Sequence, residues 1–298
     1  MRNLYHRYRR IESPVRDVIL AEVFVQFVQA SFFIALLLYM QEQGYSDEEA
    51  TGYFKYRFLG VLACAFPLGR FLRGRPIRPF FYIAGVGVPL TSLLVVHAVH
   101  THDHDLLIGA QILWGLCFMC MTVTVLPYIM RNASKETQTA AISLSFSTWS
   151  FATIVSGVTI SALRWIDRDL FTNQRLLEGF SWLGLLSLVF LWRIRTPEVV
   201  PPRRAERHAY DWPLIVKAMI PTCLIAIGAG LTIPFMPLFF ANVHGFETRD
   251  VAVMSAAATI AVLICMILTP LVKDVFGYRR AITGTQLIAI GMLVALAS

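Results

Sequence analysis

Apolar stretches of about 20 residues recur along this 298-residue chain, separated by short polar turns. Such a stretch, coiled as an α-helix with a rise of about 1.5 Å per residue, crosses the roughly 30 Å hydrocarbon core of a bilayer. Hydrophobic residues make up 56% of the chain and charged residues 15%, too few to cover a water-soluble fold of this size. The sequence therefore predicts an integral, multi-pass membrane protein.

Nine stretches fit this template, and helix is the expected form because a segment in lipid must satisfy its own backbone hydrogen bonds. Ser13, directly before Pro14, predicts an N-cap for the first helix, and Ser46 with Glu49 predicts a capping box for the second. The predicted fold class is all-α. The approximate spans are 18–40, 52–72, 79–99, 106–129, 140–163, 177–194, 212–242, 250–272 and 281–298.

Arginine and lysine residues concentrate in alternate turns, which the positive-inside rule assigns to the cytoplasm. This pattern predicts a cytoplasmic amino terminus, and we expect the protein in a bacterial inner membrane. The net charge of +7 arises from these turns, with no recognition motif, so no nucleic-acid partner is expected. The expected partners are the lipid bilayer and a small solute, and the oligomeric state stays open.

The turn at 195–212 is the longest on the cytoplasmic side and is rich in proline and arginine. It predicts a loop between a complete six-span bundle at 1–194 and an incomplete, three-span bundle at 213–298. Similar far-side segments support two related halves, since GYSDEEA at 44–50 corresponds to GFETRDV at 245–251. Parallel repeats of this kind are a recurrent transporter plan, with the solute site between the halves.

The turn after the eighth stretch reads Asp274-Val-Phe-Gly277-Tyr-Arg279-Arg280. It resembles the signature of the major facilitator superfamily, roughly G-x-x-x-D-[RK]-x-G-[RK]-[RK]. The turn after the second stretch is a degenerate version, with Arg73 in the place of the acid. The resemblance implies a fold like that of this superfamily and a cytoplasmic latch made of Gly69, Arg75, Arg78, Asp274, Gly277, Arg279 and Arg280. Such proteins usually have twelve spans, so the chain is expected to be truncated after the ninth or to be a shortened relative.

Polar residues within the spans are the candidate solute and proton sites, because a charge at mid-membrane costs about 2.5–3.5 kcal/mol on insertion scales. Glu22, Gln26 and Gln29 follow i, i+4, i+7 spacing on one face of the first helix. Glu22 is a candidate for proton coupling, and Gln26 and Gln29 are candidate solute contacts. The alternative for Glu22 is a carboxylate hydrogen-bonded to neighbouring helices or one that snorkels to the cytoplasm.

Arg57 in the second span is a candidate to hold a carboxylate or phosphate of the solute. The alternative is that Arg57, like Lys55, snorkels to the outer interface. Gln111 in the fourth span stands where drug exporters of the superfamily carry arginine, so drug export is not predicted. It is nevertheless a candidate for solute binding.

The far-side segment 97–105, HAVHTHDHD, contains residue types that bind zinc, nickel or copper, but such a tract is more often a solvated turn. We predict no metal and no cofactor. The chain lacks Walker A, H-E-x-x-H and G-x-S-x-G sequences, and no enzymatic activity is expected. The predicted function is secondary active transport of a small polar or anionic solute by alternating access, with proton coupling as a hypothesis. The alternative is a non-transporting membrane scaffold or sensor derived from a truncated transporter.

Overall fold

The computed structural model describes residues 8–72, 74–167, 169–195, 197–198, 200, 212–232 and 248–297. These residues are largely helical and contain no strand, which confirms the all-α prediction. The helices in these ranges are α1 (Ser13–Glu42), α2 (Asp47–Phe71), α3 (Arg78–Thr101), α4 (His104–Asn132), α5 (Gln138–Ile166), α6 (Asn173–Gly184), α7 (Ser187–Arg193), α8 (Trp212–Thr232) and α9 (Thr248–Ala297).

Six helical segments in the described ranges are long and apolar enough to cross a membrane. They are α1, α3, α4, α5, the continuous segment Asn173–Arg193 formed by α6 and α7, and Ala256–Met292 within α9. The first, third, fourth, fifth and sixth predicted spans therefore have counterparts of the expected length. The seventh is described only as far as Thr232, so the remainder of its predicted range, 233–242, lies outside the described residues.

The second predicted span differs from these, because α2 is long enough but is not among the six apolar segments. Its 25 residues correspond to about 37 Å of helix. The helix begins with three acidic residues and carries Lys55 and Arg57 near its middle. A helix with this charge reaches membrane depth only if its cations are buried against protein or directed to an interface.

Gly277 interrupts α9 at the position where the sequence predicts a turn between the eighth and ninth spans. Its φ of 72° and ψ of 164° are not helical, and this region of φ is readily available only to glycine. The apolar segment Ala256–Met292 has 37 residues, or about 55 Å of helix, which is far longer than a bilayer core. The break at Gly277 therefore agrees with two spans.

Contacts between helices divide the chain into two compact units, Met1–Pro201 with Val262–Ser298, and Pro202–Ala261. In the first unit, α4 packs extensively on both α2 and α3, while α1 packs on α5, α6 and α7. The second unit contains α8 and the beginning of α9. The predicted division at 194, 195–212 and 213 stays a prediction.

The two predicted helix starts have different outcomes. Ser46 and Glu49 form the capping box, since the Glu49 N–H donates to Ser46 Oγ at 3.3 Å and the Ser46 N–H to Glu49 Oε2 at 3.0 Å. The prediction for Ser13 is wrong, because Glu12 occupies the cap position and Ser13 already belongs to α1. Glu12 has no capping bond to its own helix, and its side chain contacts the start of α5 instead.

Two glycines allow the backbones of α2 and α4 to touch. A Cβ atom at Gly60 would collide with the carbonyl oxygen of Ile112, and one at Gly115 with the carbonyl oxygen of Arg57. Small residues at a helix crossing permit this approach, which is how membrane helices gain packing energy without a hydrophobic effect between them. The crossing lies beside Arg57 and thereby fixes this side chain against α4.

Candidate functional site

The acidic position predicted on α1 lies inside the helix bundle. Glu22 is 7% exposed, and its Oε2 accepts a hydrogen bond of 2.7 Å from Ser145 Oγ of α5. By helix rise, Glu22 lies about 14 Å from the first residue of α1. A carboxyl group that is buried and bonded to a neighbouring helix does not snorkel, so the snorkelling alternative is wrong. The hydrogen bond from Ser145 is the contact expected from the other alternative, a carboxylate bonded to neighbouring helices.

Gln26 and Gln29 extend the polar face of α1 beyond Glu22. Both side chains are half-buried, and both amide oxygens are enclosed with no hydrogen-bond partner among the residues described. A buried acceptor without a partner is destabilising by about 1–3 kcal/mol. This face of α1 therefore combines one hydrogen-bonded carboxyl group with two amide oxygens that can each still accept a hydrogen bond.

Arg57 and Gln111, predicted separately from the sequence, meet between α2 and α4. Arg57 is 2% exposed and Gln111 is 0% exposed, and Arg57 Nε donates a hydrogen bond of 2.8 Å to Gln111 Oε1. The guanidinium carbon also lies 3.7 Å from the centre of the Trp114 ring. The snorkelling alternative is wrong for Arg57, whereas Lys55 is exposed as that alternative requires.

Aromatic rings enclose this pair. Phe54 lies on a second side of the Arg57 guanidinium, with 5.2 Å between the guanidinium carbon and the ring centre. Phe32 of α1 packs edge-on against Trp114, with ring centres 4.6 Å apart. The cluster of Arg57, Gln111 and Trp114, which we call the α2–α4 donor cluster, is thus shielded from lipid on the described sides.

The two polar regions are separate. The position of Glu22 is measured along the helix from the end of the bundle where α1 and α3 begin. The position of Arg57 is measured from the end where α2 and α4 begin. Helix rise places Arg57 about 15 Å from the start of α2, and Gln111 about 10 Å from the start of α4. No ion pair between Glu22 and Arg57 occurs in the described ranges.

A cavity of about 250 Å³ lies near the α1 face but is not lined by any of the candidate residues. Its walls come from α1, α5 and α9 and are almost entirely apolar. The lining residues are Arg16, Ile19, Leu20, Val23, Leu144, Ser147, Thr148, Phe151, Leu263 and Ile267. Such walls suit an alkyl chain better than the polar part of a solute.

Glu198 is a residue that the sequence did not indicate. Its carboxylate accepts hydrogen bonds from the backbone N–H groups of Ile77, at 2.8 and 2.9 Å, and of Arg78, at 3.2 Å. Its side chain is 3% exposed. A carboxylate on the first amides of α3 satisfies donors that the helix cannot satisfy itself and interacts favourably with the helix dipole.

Arg131 at the end of α4 completes this cluster. Arg131 Nη1 lies 3.4 Å from Glu198 Oε1, and its guanidinium also donates to the carbonyl oxygens of Leu72 and Arg75 at 3.3 and 3.1 Å. The turn between α2 and α3 has arginine where the superfamily signature has an acid. The carboxylate of Glu198 contacts the backbone N–H groups at the end of this turn. Sequence spacing gives no sign of a contact across 121 residues.

The amino-terminal latch residues contribute backbone groups to this turn. Arg78 donates its N–H to Glu198, Arg75 provides its carbonyl oxygen, and the Arg75 guanidinium lies 3.7 Å from the centre of the Phe71 ring. A Cβ atom at Gly69 would meet no other atom within 4 Å, so no close helix approach requires glycine at this position. Arg73 lies outside the described residues.

The carboxyl-terminal latch residues lie around the break in α9. Asp274, Arg279 and Arg280 are exposed, and Gly277 forms the break itself. The residues of this turn that contact the start of α5 are different ones: Lys273 Nζ donates to Thr139 Oγ1 at 3.0 Å, and the Tyr278 hydroxyl lies 3.3 Å from the same oxygen. That these residues and the amino-terminal ones form one latch stays a prediction.

Glu12 provides a second carboxylate at a helix start. It accepts hydrogen bonds from the Ser134 N–H at 2.9 Å and from Thr137 Oγ1 at 2.8 Å. Partial burial raises the pKa of the Glu12 carboxyl, but hydrogen bonds from its own backbone, Ser134 and Thr137 outweigh that effect and hold the pKa below its ordinary value.

The histidine-rich turn makes aromatic contacts. Tyr45 stacks on His102, Tyr53 stacks on His104, and the Tyr53 hydroxyl bonds to His104 Nδ1. Within the described ranges, no three histidine, cysteine, aspartate or glutamate residues lie together in a way that could hold a metal ion.

An all-α membrane protein with polar side chains buried between its spans has features that polytopic transporters share. The family model described as Major Facilitator Superfamily matches residues 6–157, just over half of the chain. No curated protein matches this sequence. The chain belongs to the major facilitator superfamily, which is a family of membrane transporters and not of enzymes.

Proposed function

We propose that the protein carries out secondary active transport of a small polar or anionic solute by alternating access, as a proton symporter. The observation that carries this proposal is the buried carboxyl group of Glu22, with its hydrogen bond to Ser145 and the two open amide oxygens of Gln26 and Gln29 on the same helix face. Superfamily membership supports transport of a solute in general.

Glu22 is suited to proton coupling because its charge is the expensive state at this depth. An ionised carboxylate inside a bundle is destabilised by the loss of water, whereas the protonated form is a neutral hydrogen-bond donor and acceptor. The Ser145 hydroxyl favours the ionised form and partly offsets this loss. The opposed effects allow the group to take up and release a proton when its access to water changes.

The latch and the orientation belong to the same proposal. Gly69, Arg75, Arg78, Asp274, Gly277, Arg279 and Arg280 form the cytoplasmic latch between the bundles 1–194 and 213–298, joined by the loop 195–212. The amino terminus is cytoplasmic and the membrane is a bacterial inner membrane. The positive-inside pattern supports this orientation, and the backbone contacts of Arg75 and Arg78 with the Glu198 cluster support an ordered turn there.

The test is uptake into proteoliposomes containing the 298-residue chain, with a panel of labelled carboxylates, phosphates, amino acids and sugars. We expect one class of solute to accumulate under an inward proton gradient. In Glu22→Gln the gradient should no longer drive accumulation, while exchange of solute across the membrane without a gradient persists.

Glu42→Gln is the matched control, because Glu42 ends the same helix but is exposed and paired with Arg164. It should accumulate solute like the unmodified protein. If Glu22→Gln also accumulates solute normally, the coupling role is refuted. If no solute on the panel moves in any variant, the non-transporting scaffold or sensor becomes the better description of this chain.

A further inference from the structure

The α2–α4 donor cluster holds three enclosed hydrogen-bond donors that have no partner in the described protein. They are Arg57 Nη2, Gln111 Nε2 and Trp114 Nε1. The three groups are neighbours, because Arg57 bonds to the carboxamide oxygen of Gln111 and its guanidinium lies 3.7 Å from the centre of the Trp114 ring. All three unpaired groups are hydrogen-bond donors, so a ligand that pairs with them must offer hydrogen-bond acceptors.

Charge narrows the choice of acceptor. The guanidinium of Arg57 stays protonated under all ordinary conditions, and in the described ranges no carboxylate lies within ion-pair distance of it. Gln111 is neutral, and the Trp114 ring offers only the weak attraction of its quadrupole. A buried cation without a counter-charge is strongly unfavourable. Only an anion both accepts the hydrogen bonds and neutralises the charge.

The geometry of the donors narrows the choice of anion further. The edge of the guanidinium that carries Nη2 remains open after Nε has bonded to Gln111, and the amide N–H groups of Gln111 are attached to the carbon next to that contact. Two or more acceptor oxygens on one group match such a set of donors, as in a carboxylate or a phosphate. A spherical halide matches it less well.

We propose that Arg57, Gln111 and Trp114 bind the anionic group of the transported solute, and that this group is a carboxylate or another oxyanion. The binding of an anion here does not depend on the proposed function, but its identity as the transported solute rests on that function. The inference narrows the class of solute from polar or anionic to anionic. Arg57 supplies the charge, while Gln111 both positions Arg57 and donates to the ligand. The glycine crossing of α2 and α4 keeps the three groups together.

The experiment measures thermal unfolding of the purified chain in an uncharged detergent, with sodium chloride, nitrate, acetate, sulfate or phosphate at equal ionic strength. For the unmodified protein we expect at least one oxyanion to raise the midpoint by about 2–4 °C over chloride, with saturation. Arg57→Gln should lose this rise. Lys55→Gln, a change of the same charge two residues away at an exposed position, should keep it.

Gln111→Glu is the second variant, and it covers the case in which Arg57→Gln fails to fold. It places a carboxylate 2.8 Å from the Arg57 Nε without a change of shape. We expect its midpoint in chloride to exceed that of the unmodified protein and to show no further rise with oxyanions, because the site then contains its own anion.

Two results of the unfolding experiment would overturn the inference. One is an unmodified protein that responds to no oxyanion more than to chloride, which identifies a structural cluster bonded to water. The other is an equal response in Arg57→Gln or in Gln111→Glu, which places the anion elsewhere. Uptake of an uncharged solute by the unmodified protein would leave the transport proposal standing while this one fails, so the two failures are distinguishable.

Discussion

The α1 face and the α2–α4 donor cluster solve the problem of a charge inside a membrane in different ways. Glu22 can discard its charge by taking up a proton, so one hydrogen bond from Ser145 is enough to keep it buried. Arg57 cannot discard its charge, and it therefore relies on Gln111, on two aromatic rings and, by our inference, on an anion. A buried acid can therefore do without a counter-charge, whereas a buried arginine depends on its neighbours.

The largest effect should follow removal of the partner of Arg57. In Gln111→Leu the guanidinium loses a charge-assisted hydrogen bond in a dry site, and we expect a loss of about 2–3 kcal/mol in the free energy of unfolding. Denaturant or thermal unfolding in detergent measures it. The double variant Arg57→Met with Gln111→Leu should recover most of the loss, since no uncompensated charge remains. A double variant as unstable as the single one would show that Arg57 needs no partner.

The next largest effect should come from the glycine crossing. In Gly115→Ala the new methyl group collides with the carbonyl oxygen of Arg57, and we expect a loss of about 1–3 kcal/mol as the helices separate. Gly157→Ala on α5 is the matched change beside α1, where the added carbon would lie 3.8 Å from Ile34 Cδ1 in ordinary contact. It should be neutral or stabilising, because alanine favours helix. Equal losses would mean that the two regions are packed alike.

A smaller effect is expected at Ser145. Ser145→Ala removes the hydrogen bond to Glu22, and we expect a loss of about 1 kcal/mol, because Glu22 can become neutral instead of remaining an unpaired charge. Unfolding midpoints at neutral and mildly acidic pH provide the measurement. The loss in the free energy of unfolding should be smaller at mildly acidic pH than at neutral pH. A loss as large as that of Gln111→Leu would contradict the view that the acid is self-sufficient.

The smallest effect should appear at Glu12, an acid outside the spans that cannot be confused with Glu22. Its pKa is lower in the folded than in the unfolded chain. It therefore adds stability above its unfolded pKa, and this contribution disappears as the pH falls through the lower, folded value. We expect the unfolding midpoint of Glu12→Gln to be slightly lower than that of the unmodified protein at neutral pH, and the two midpoints to be equal in strong acid. A difference that grows towards acid pH would have the wrong sign.

The spans and the polar positions can be predicted from the sequence because they depend on local patterns. A 20-residue apolar run fixes a helix, the spacing of Glu22, Gln26 and Gln29 fixes a face, and Ser46 with Glu49 fixes a cap. Each of these caps and faces depends on residues within one or two helical turns of each other. The break at Gly277 is similarly visible in the sequence as a turn.

The partners of these residues cannot be predicted in the same way. The sequence indicates Arg57 and Gln111 one at a time, and their contact depends on Gly60 and Gly115 letting two particular helices touch. Glu198 escapes sequence reasoning because its partners, among them Arg131, are far away in the chain.

The predicted cap at Ser13 fails for a related reason. The cap position belongs to Glu12, whose side chain is engaged by α5 and not by its own helix. A local capping rule takes no account of a competing helix that is distant in sequence. The error is therefore one of tertiary contact and not of helix propensity.

The backbone contact between α2 and α4 also has a mechanical consequence. Where two main chains touch, no side chains remain between them to slide or repack, so the pair should turn as one body during any rocking of the bundle. Phe58 and Leu113 project outwards from the two helices, at 62% and 46% exposed. The separation of spin labels at these two positions should stay constant through a transport cycle, which would make it an internal ruler for the movement of every other helix.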